Sequence, residues 1–478
     1  MRRPRAWFRR GGPLSLDAQP VSSSLRVAVV GSGPAGFYAA EALLRATGGT
    51  AEVDVFDRLP TPYGLVRGGV APDHPKIKTV TRVYERTAGL PSFRFLGNVT
   101  VGRDLFVDDL RAHYHQIVYA TGNEADRRLG IPGEGIEGST PSAVFVGWYN
   151  GHPDYRLARI RLEVERAAVI GNGNVAVDVA RILLRTPQEL ANTDIADYAR
   201  LALGRSRVRE VWVLGRRGPA QAAFTPQELK ELGELAEADV RIDPADLVLD
   251  PASEAEVAAS PQRQKNLALL RELAGRPAKG SGRVLHLRFC VSPTAILADE
   301  AGAVRALALE RNRLEPRPDG TVAARPTGET ATLPVGLVLP AIGYAADPIP
   351  GVPFDERARI VANVGGRVCT PDTRRIVHDE YVVGWARTGP QGLIGSHKVG
   401  SAEVVARMLD DARAGTVANR ALPPREAIDA LLAARGVPVV GFADWKRLDE
   451  VEVARGSRRG APRDKIADIE SMLALLGA

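Results

Sequence analysis

The sequence predicts an α/β protein built of two nested, doubly wound, three-layer domains, the second inserted into a discontinuous first. Three observations predict it. Two separate stretches read strand, glycine-rich turn, helix, strand. Two apolar strands, each running into a glycine, bracket the second of these stretches. The length, 478 residues, allows two to three domains at roughly 150 residues each.

Composition removes several classes. No apolar run approaches the ~18 residues of a membrane-spanning helix, which excludes an integral membrane protein. Cys290 and Cys369 are the only cysteines. They exclude a disulfide scaffold, a Cys-X-X-Cys redox centre and a cysteine-bound cluster. Seven scattered histidines do not make a zinc site, so no metal is expected. The net charge of +6 is concentrated at the start: residues 1–24 hold five Arg and one Asp. The remainder is nearly balanced, which argues against a nucleic-acid binder. Residues 1–24 show no apolar period and read as a disordered extension. An Arg-rich, acid-poor leader also fits an organelle transit peptide.

The first unit begins with the apolar run Leu25 to Val30. Gly31-Ser32-Gly33-Pro34-Ala35-Gly36 follows and opens the helical stretch FYAAEALLRA. A second strand, Glu52 to Phe56, ends at Asp57, 21 residues after the third glycine. This is G-X-G-X-X-G in the context of a Rossmann-like, dinucleotide-binding unit. Gly31 makes the tight turn, Gly33 lets backbone approach a pyrophosphate, and Gly36 lets helix and strand pack closely. The helix N-terminus faces the phosphates with free N–H groups. Asp57 accepts from ribose hydroxyls.

The second unit begins with Ala167 to Ile170, then Gly171-Asn172-Gly173-Asn174-Val175-Ala176 and the amphipathic VDVARILL. Its second strand, Val211 to Leu214, ends in Gly215-Arg216-Arg217 and not in an acid. Without a carboxylate and with two guanidinium groups, that end suits a ribose 2′-phosphate. The simplest assignment is FAD at the first site and NADP(H) at the second. Such a pair converts hydride transfer into single-electron transfer.

Ile117 to Gly122 and Leu337 to Tyr344 read as the two chain crossings that enclose the second unit. The chain then returns through Tyr381 to Trp385, a glycine-rich turn from Ala386 to Gly395, and a helical pattern from Ser401 to Asp411. The expected boundaries are 25–123 and 345–420 for the FAD-binding domain, 124–344 for the NADP-binding domain and 421–478 for a C-terminal extension.

These residues carry a resemblance. The stretches VVGSGPAGFYAAEAL, RLPTPYGLVRGGVAPDHPKIK, RFLGNVTVG, VFVGWYNGHPDY, VIGNGNVAVDVARILL, VLGRRGPAQAAFTPQELKEL and VVGWARTGPQGLIGSHK resemble the adrenodoxin reductase-like family of ferredoxin–NADP+ reductases, in particular its bacterial members. The resemblance implies FAD contacts at Ala35, Asp57, Leu65, Val101, Trp385 and Gly392, Leu393 and Ile394. It implies NADP contacts at Asn172, Gly173, Asn174, Val175, Arg216, Arg217, Glu228 and Gly392. It places His74 and Glu231 near the nicotinamide; hydride transfer needs no proton relay, so their expected role is positioning. Asp57 stands where many members have Glu, and Leu393 where Val is commoner. Residues 421–478, with Trp445 and the basic stretch Arg455 to Arg463, resemble the C-terminal extension of some bacterial members, and no chemical role follows for them.

The implied activity is transfer of hydride from NADPH to FAD, then of single electrons to an acidic iron–sulfur ferredoxin. An acidic partner calls for a basic docking face. Two segments are candidates: Arg263, Lys265 and Arg271, and Arg67, Lys76 and Lys78. The expected setting is a monomer in the bacterial cytoplasm, with the mitochondrial matrix as the alternative. Two competing functions remain: another NADPH-dependent flavin oxidoreductase such as a glutamate synthase reductase-like subunit, which would bring cysteine-rich motifs upstream, and a non-catalytic NADPH sensor.

Overall fold

Short β-branched runs make the centre of each sheet, because strands covered on both faces show no polar alternation. Arg26–Val30, Glu52–Phe56 and Arg166–Ile170 are each buried from their second residue onward. The exception, Asp54, is fully buried and bonded to Arg94, Arg425 and Tyr114. These relationships come from a computed structural model that describes residues 25–123, 125–318, 321–392, 394–415, 417 and 421–477. The expected 1–24 extension and Leu393 lie outside the described residues.

The first sheet has seven strands, in the order Asn363–Val364, Arg367–Cys369, Ile376–Val382, Gln116–Tyr119, Arg26–Val30, Glu52–Phe56 and Phe93–Leu96. The last five are mutually parallel, and an antiparallel hairpin closes the other edge. The second sheet has five parallel strands, in the order Leu337–Pro340, Arg166–Ile170, Glu210–Leu214, Val284–Arg288 and Asp239–Ile242. All of it falls between Gln116–Tyr119 and Ile376–Val382 in the chain, so the nesting is direct. The two crossings lie side by side: Ala125–Asp126 pairs antiparallel with Tyr344–Ala345.

Two features differ from expectation. The helix after the third glycine turn runs Ser396–Arg413, starting before Ser401. The helix continues through Gly400 and packs along the helix Pro34–Ala46. The second unit also carries an antiparallel sheet of Val291–Ala298, Val304–Pro316 and Val322–Pro334.

The C-terminal extension is part of the first unit's core. Trp445 is buried and stands edge-on to Tyr63, with ring centroids 5.9 Å apart. Ile428 and Leu432 pack with Tyr119 and Val382. The same segment reaches the second unit through Lys465 to Asp194 and Arg156 to Asp468.

Candidate functional site

Three segments converge on the first glycine turn. Gly31 adopts φ +110°, and a Cβ there would stand 2.5 Å from the Ala120 carbonyl oxygen. Gly64 lies against the backbone of Gly33, and a Cβ on Gly384 would meet Ala35 Cβ at 2.5 Å. The turn is thus covered by the Tyr63–Gly68 loop and by the Gly384 return. Tyr63 takes φ +87°, an unfavourable conformation for a side-chain-bearing residue, and its N–H donates to the Ser32 carbonyl.

Asp57 accepts from the Ser32 N–H at 2.9 Å, the Ser32 hydroxyl at 2.5 Å and the Leu59 N–H at 3.0 Å. It therefore also holds the glycine turn to the end of the second strand. Asp57 and Leu65 line one cleft together with Arg67, Asn150, His152, and Tyr344. The Val99 N–H donates to the Asp57 carbonyl, which brings Val101 to the same strand end. Trp385 is half-buried: its ring stacks on Tyr344 at 5.9 Å and its Nε1 donates to the Gln391 carbonyl. Gly392 is exposed in a left-handed turn, and Ile394 packs against the first unit's core.

The second turn repeats the plan. A Cβ on Gly171, at φ +132°, would collide with the Ala341 carbonyl. Asn174 Oδ1 accepts from the Thr225 N–H, and the half-buried Val175 packs against the second unit's core. A Cβ on Gly215 would stand 2.5 Å from Asn172 Nδ2. A side chain at the residue ending the strand before Arg216 would therefore displace the Asn172 amide. Arg216 is exposed and Arg217 half-buried, and neither makes an ion pair among the described residues.

Between the two turns lies a buried charge cluster. Arg181, fully buried on the helix Asn174–Leu184, donates to Asp73 at 2.7 and 3.1 Å, to Glu228 at 3.1 Å and to Asp178 at 2.6 Å. Arg185 also donates to Asp73. His74 Nε2 faces Glu231 Oε2 and also lies 2.9 Å from Arg181 Nη2. Arginine has no acceptor, so the Nε2 proton goes to Glu231. Burial opposes charge on His74 most strongly, but the hydrogen bond to Glu231 and the charges of Asp178 and Asp73 together outweigh it and raise the imidazole above its ordinary value. Burial likewise opposes ionisation of Asp73, yet the Arg181 bond and charge hold it down at about 2. Glu228 is pushed up by burial and by Asp178. His74, Asp178 and Glu228 lie close enough to suggest a metal site, but the guanidinium among them already supplies the cation.

The structure thus brings His74, Glu228 and Glu231 together, and turns the Glu228 carboxylate inward to Arg181. Sequence reasoning missed Asp73, Asp178 and Arg181. The spacing Asp178 to Arg181, one helical turn, was the available signal. One docking candidate is corrected. Arg67 is paired with Glu452 and Lys78 with Asp194, all largely buried, which leaves Lys76 alone exposed. In the other, Lys265 and Arg271 are exposed and Arg263 is paired with Glu256.

The residues fit two dinucleotides. Gly33 and Gly173 each have open space where a Cβ would stand, and Asn172 Nδ2 is buried beside the second turn with no hydrogen-bond partner among the described residues. Two such turns, one ending in an acid and one in paired arginines, define an oxidoreductase that uses FAD and NADP(H). A family model described as pyridine nucleotide-disulphide oxidoreductase matches residues 25–211. The chain is 43% identical to the NADPH-ferredoxin reductase FprA of Mycobacterium tuberculosis, over 94% of its own length and 98% of that relative's. It is 42% identical to the human mitochondrial NADPH:adrenodoxin oxidoreductase, over 95% of its own length and 92% of the relative's. The structure of Mycobacterium tuberculosis FprA in complex with NADPH matches with a TM-score of 0.90 and 42% identity, covering 95% of this chain and 100% of that one. The chain belongs to the adrenodoxin reductase-like family of ferredoxin–NADP+ reductases, and to its bacterial type. Both cysteines are free; Cys369 is buried, and burial pushes the Cys290 thiol up to about 11, away from the thiolate form that reacts. Among the described residues no helix is long and apolar enough to cross a membrane.

Proposed function

We propose that this chain moves electrons from NADPH to an acidic iron–sulfur ferredoxin as a monomer in the bacterial cytoplasm. When bound, the nicotinamide supplies a hydride and the flavin releases its two electrons singly. One observation carries the reading: Asp57 closes the first glycine turn, whereas Gly215, Arg216 and Arg217 close the second.

In this reading Gly31, Gly33, Ala35, Gly36, Asp57, Leu65, Val101, Trp385, Gly392, Leu393 and Ile394 hold FAD. Asn172, Gly173, Asn174, Val175, Arg216, Arg217, Glu228 and Gly392 hold NADP(H). His74 and Glu231 orient the nicotinamide from the floor of the interdomain cluster, without relaying a proton. The FAD-binding domain comprises 25–123 and 345–420, and the NADP-binding domain 124–344. Lys265 and Arg271 offer exposed cations to an acidic partner.

Anaerobic stopped-flow mixing, followed in the flavin absorption band, tests the reading. NADPH should bleach the band quickly and NADH much more slowly, and an acidic ferredoxin should restore it. Equal rates with both nucleotides would overturn the assignment of the second site. A bleached band that no ferredoxin restores would favour another NADPH-dependent flavin oxidoreductase, and a band that NADPH never bleaches would favour the sensor.

A further inference from the structure

We propose that Asn312 is a positioning residue for the 2′-phosphate: its buried side-chain amide clamps the Arg216–Arg217 turn from the antiparallel sheet. The proposal rests on the reading of that turn as the NADP(H) 2′-phosphate site.

The geometry is specific. Three consecutive carbonyls of the turn each accept one bond from the same side. The Gly215 carbonyl accepts from the Val291 N–H at 3.0 Å, and the Arg217 carbonyl from the Cys290 N–H at 3.0 Å. The middle one, of Arg216, accepts from Asn312 Nδ2 at 2.9 Å. Asn312 is 7% exposed. Its second amide hydrogen goes to Ser292 Oγ at 2.8 Å, and its own N–H to the Cys290 carbonyl at 2.7 Å. Both amide protons are therefore spoken for, and the group cannot rotate without losing one.

A local irregularity delivers the residue. The pairing of Val304–Pro316 with Val322–Pro334 shifts register between Glu310 and Asn312. A bulge of this kind re-aims a side chain. Cys290 contributes a left-handed residue, φ +55°, at the facing corner.

The clamp is needed because the turn opposes itself electrostatically. Burial disfavours the charge on Arg217, and Arg216, Arg263 and Arg317 disfavour it further, with Glu256 in opposition. Two adjacent guanidinium groups repel and would splay the turn. Backbone carbonyls tied to a rigid sheet hold both side chains at one spacing before an anion arrives, which lowers the cost of binding it.

The test uses the flavin-loaded enzyme carrying Asn312→Ala, Asn312→Asp or Ser292→Ala. Bound flavin per chain checks folding. The NADPH-to-NADH ratio of kcat/KM with a dye acceptor, and the Kd of 2′,5′-ADP against that of 5′-AMP, are the readouts. Losing one neutral hydrogen bond should lower both preferences by roughly 3- to 10-fold for Asn312→Ala. Asn312→Asp should lower them more, because its carboxylate competes for the arginines. Ser292→Ala, which frees only the far amide hydrogen, should act in the same direction and less. Unchanged preferences, or equal weakening of both nucleotides, would overturn the proposal. Arg216→Ala separates the two levels: if it too leaves the preference unaltered, the assignment of the 2′-phosphate site fails instead.

Discussion

Arg67 and Glu452, 385 positions apart, form a two-pronged ion pair with bonds of 2.7 and 2.5 Å. Glu452 is fully buried, and its carboxylate also accepts from the Ile466 N–H and from Arg463. The Arg67 guanidinium lies 5.0 Å from the Trp445 ring centre. Arg67 belongs to the loop that covers the first glycine turn, so the C-terminal segment fixes one wall of the cleft that Asp57 and Leu65 also line. Glu452→Gln leaves two arginines facing a neutral amide in the interior. Breaking a buried pair from one side costs roughly 3–5 kcal/mol. The variant should melt at lower temperature and lose flavin faster on dialysis, while Arg67→Met, which removes the charge and keeps the stem, should be milder. Calorimetry and the flavin content after dialysis check this order.

Asp194 is shared by two lysines, Lys78 at 2.6 Å and Lys465 at 3.2 Å. Lys465 is buried, and its ammonium also donates to the Arg67 carbonyl and to Asn150. Burial lowers both lysines, whereas Asp194, despite burial, is held down at about 2 by the two cations. Asp194→Asn strands two buried ammonium groups. Lys465→Met strands none, because Lys78 still neutralises the carboxylate. Asp194→Asn should therefore be the more destabilising by several kcal/mol. Equal losses in denaturant titrations of the two variants would contradict the shared-charge arrangement.

Stability should depend on pH from both sides of the interdomain cluster. His74 is raised above its ordinary 6.5, so its pairing with Glu231 contributes fully below about 6.5 and is lost as pH climbs through the folded value. Asp73 is lowered from 3.8 to about 2, so its pairing with Arg181 contributes above about 3.8 and is lost as pH falls toward 2. A shift of that size is worth roughly 2 kcal/mol. Glu231→Gln should shrink the alkaline limb and Asp73→Asn the acid limb of a melting-temperature profile, each leaving the other unchanged; Glu228 and Asp194 keep a remainder of each limb in place.

The sequence made plain what is local. Strand, glycine turn and helix recur within about 30 residues, so both fingerprints and the nesting were legible. What it hid is set by pairing across distance. The charge cluster joins Asp73, Arg181 and Glu228 from three segments, and no periodicity links them. The C-terminal segment looked unassignable because its partners, Asp54, Arg67 and Asp194, sit far earlier in the chain. The helix Ser396–Arg413 starts before its sequence pattern: a glycine inside a helix, here Gly400, costs only about 1 kcal/mol, and packing on the helix Pro34–Ala46 outweighs it. Arg67 and Lys78 looked like docking cations because sequence shows charge but not burial.

On the proposed reading, cofactor preference follows from the turn after the strand Glu210–Leu214. Gly215 is buried with Asn172 Nδ2 2.5 Å from where a Cβ would stand, and it supplies no carboxylate to accept from a ribose 2′-hydroxyl. Arg216 is exposed and Arg217 half-buried, and neither is neutralised by an ion pair among the described residues. Each charge-assisted bond to a 2′-phosphate is worth roughly 1.5–3 kcal/mol. Arg216→Ala should therefore lower kcat/KM for NADPH by roughly 10- to 100-fold, chiefly through KM, and change that for NADH little. Arg217→Ala should behave alike with a smaller effect, because burial and its arginine neighbours already disfavour its charge. Gly215→Asp should fail differently, by pushing the Asn172 amide out of the turn and weakening both nucleotides. Steady-state kinetics with each nucleotide, with one dye acceptor throughout, distinguishes loss of the phosphate contact from collapse of the turn.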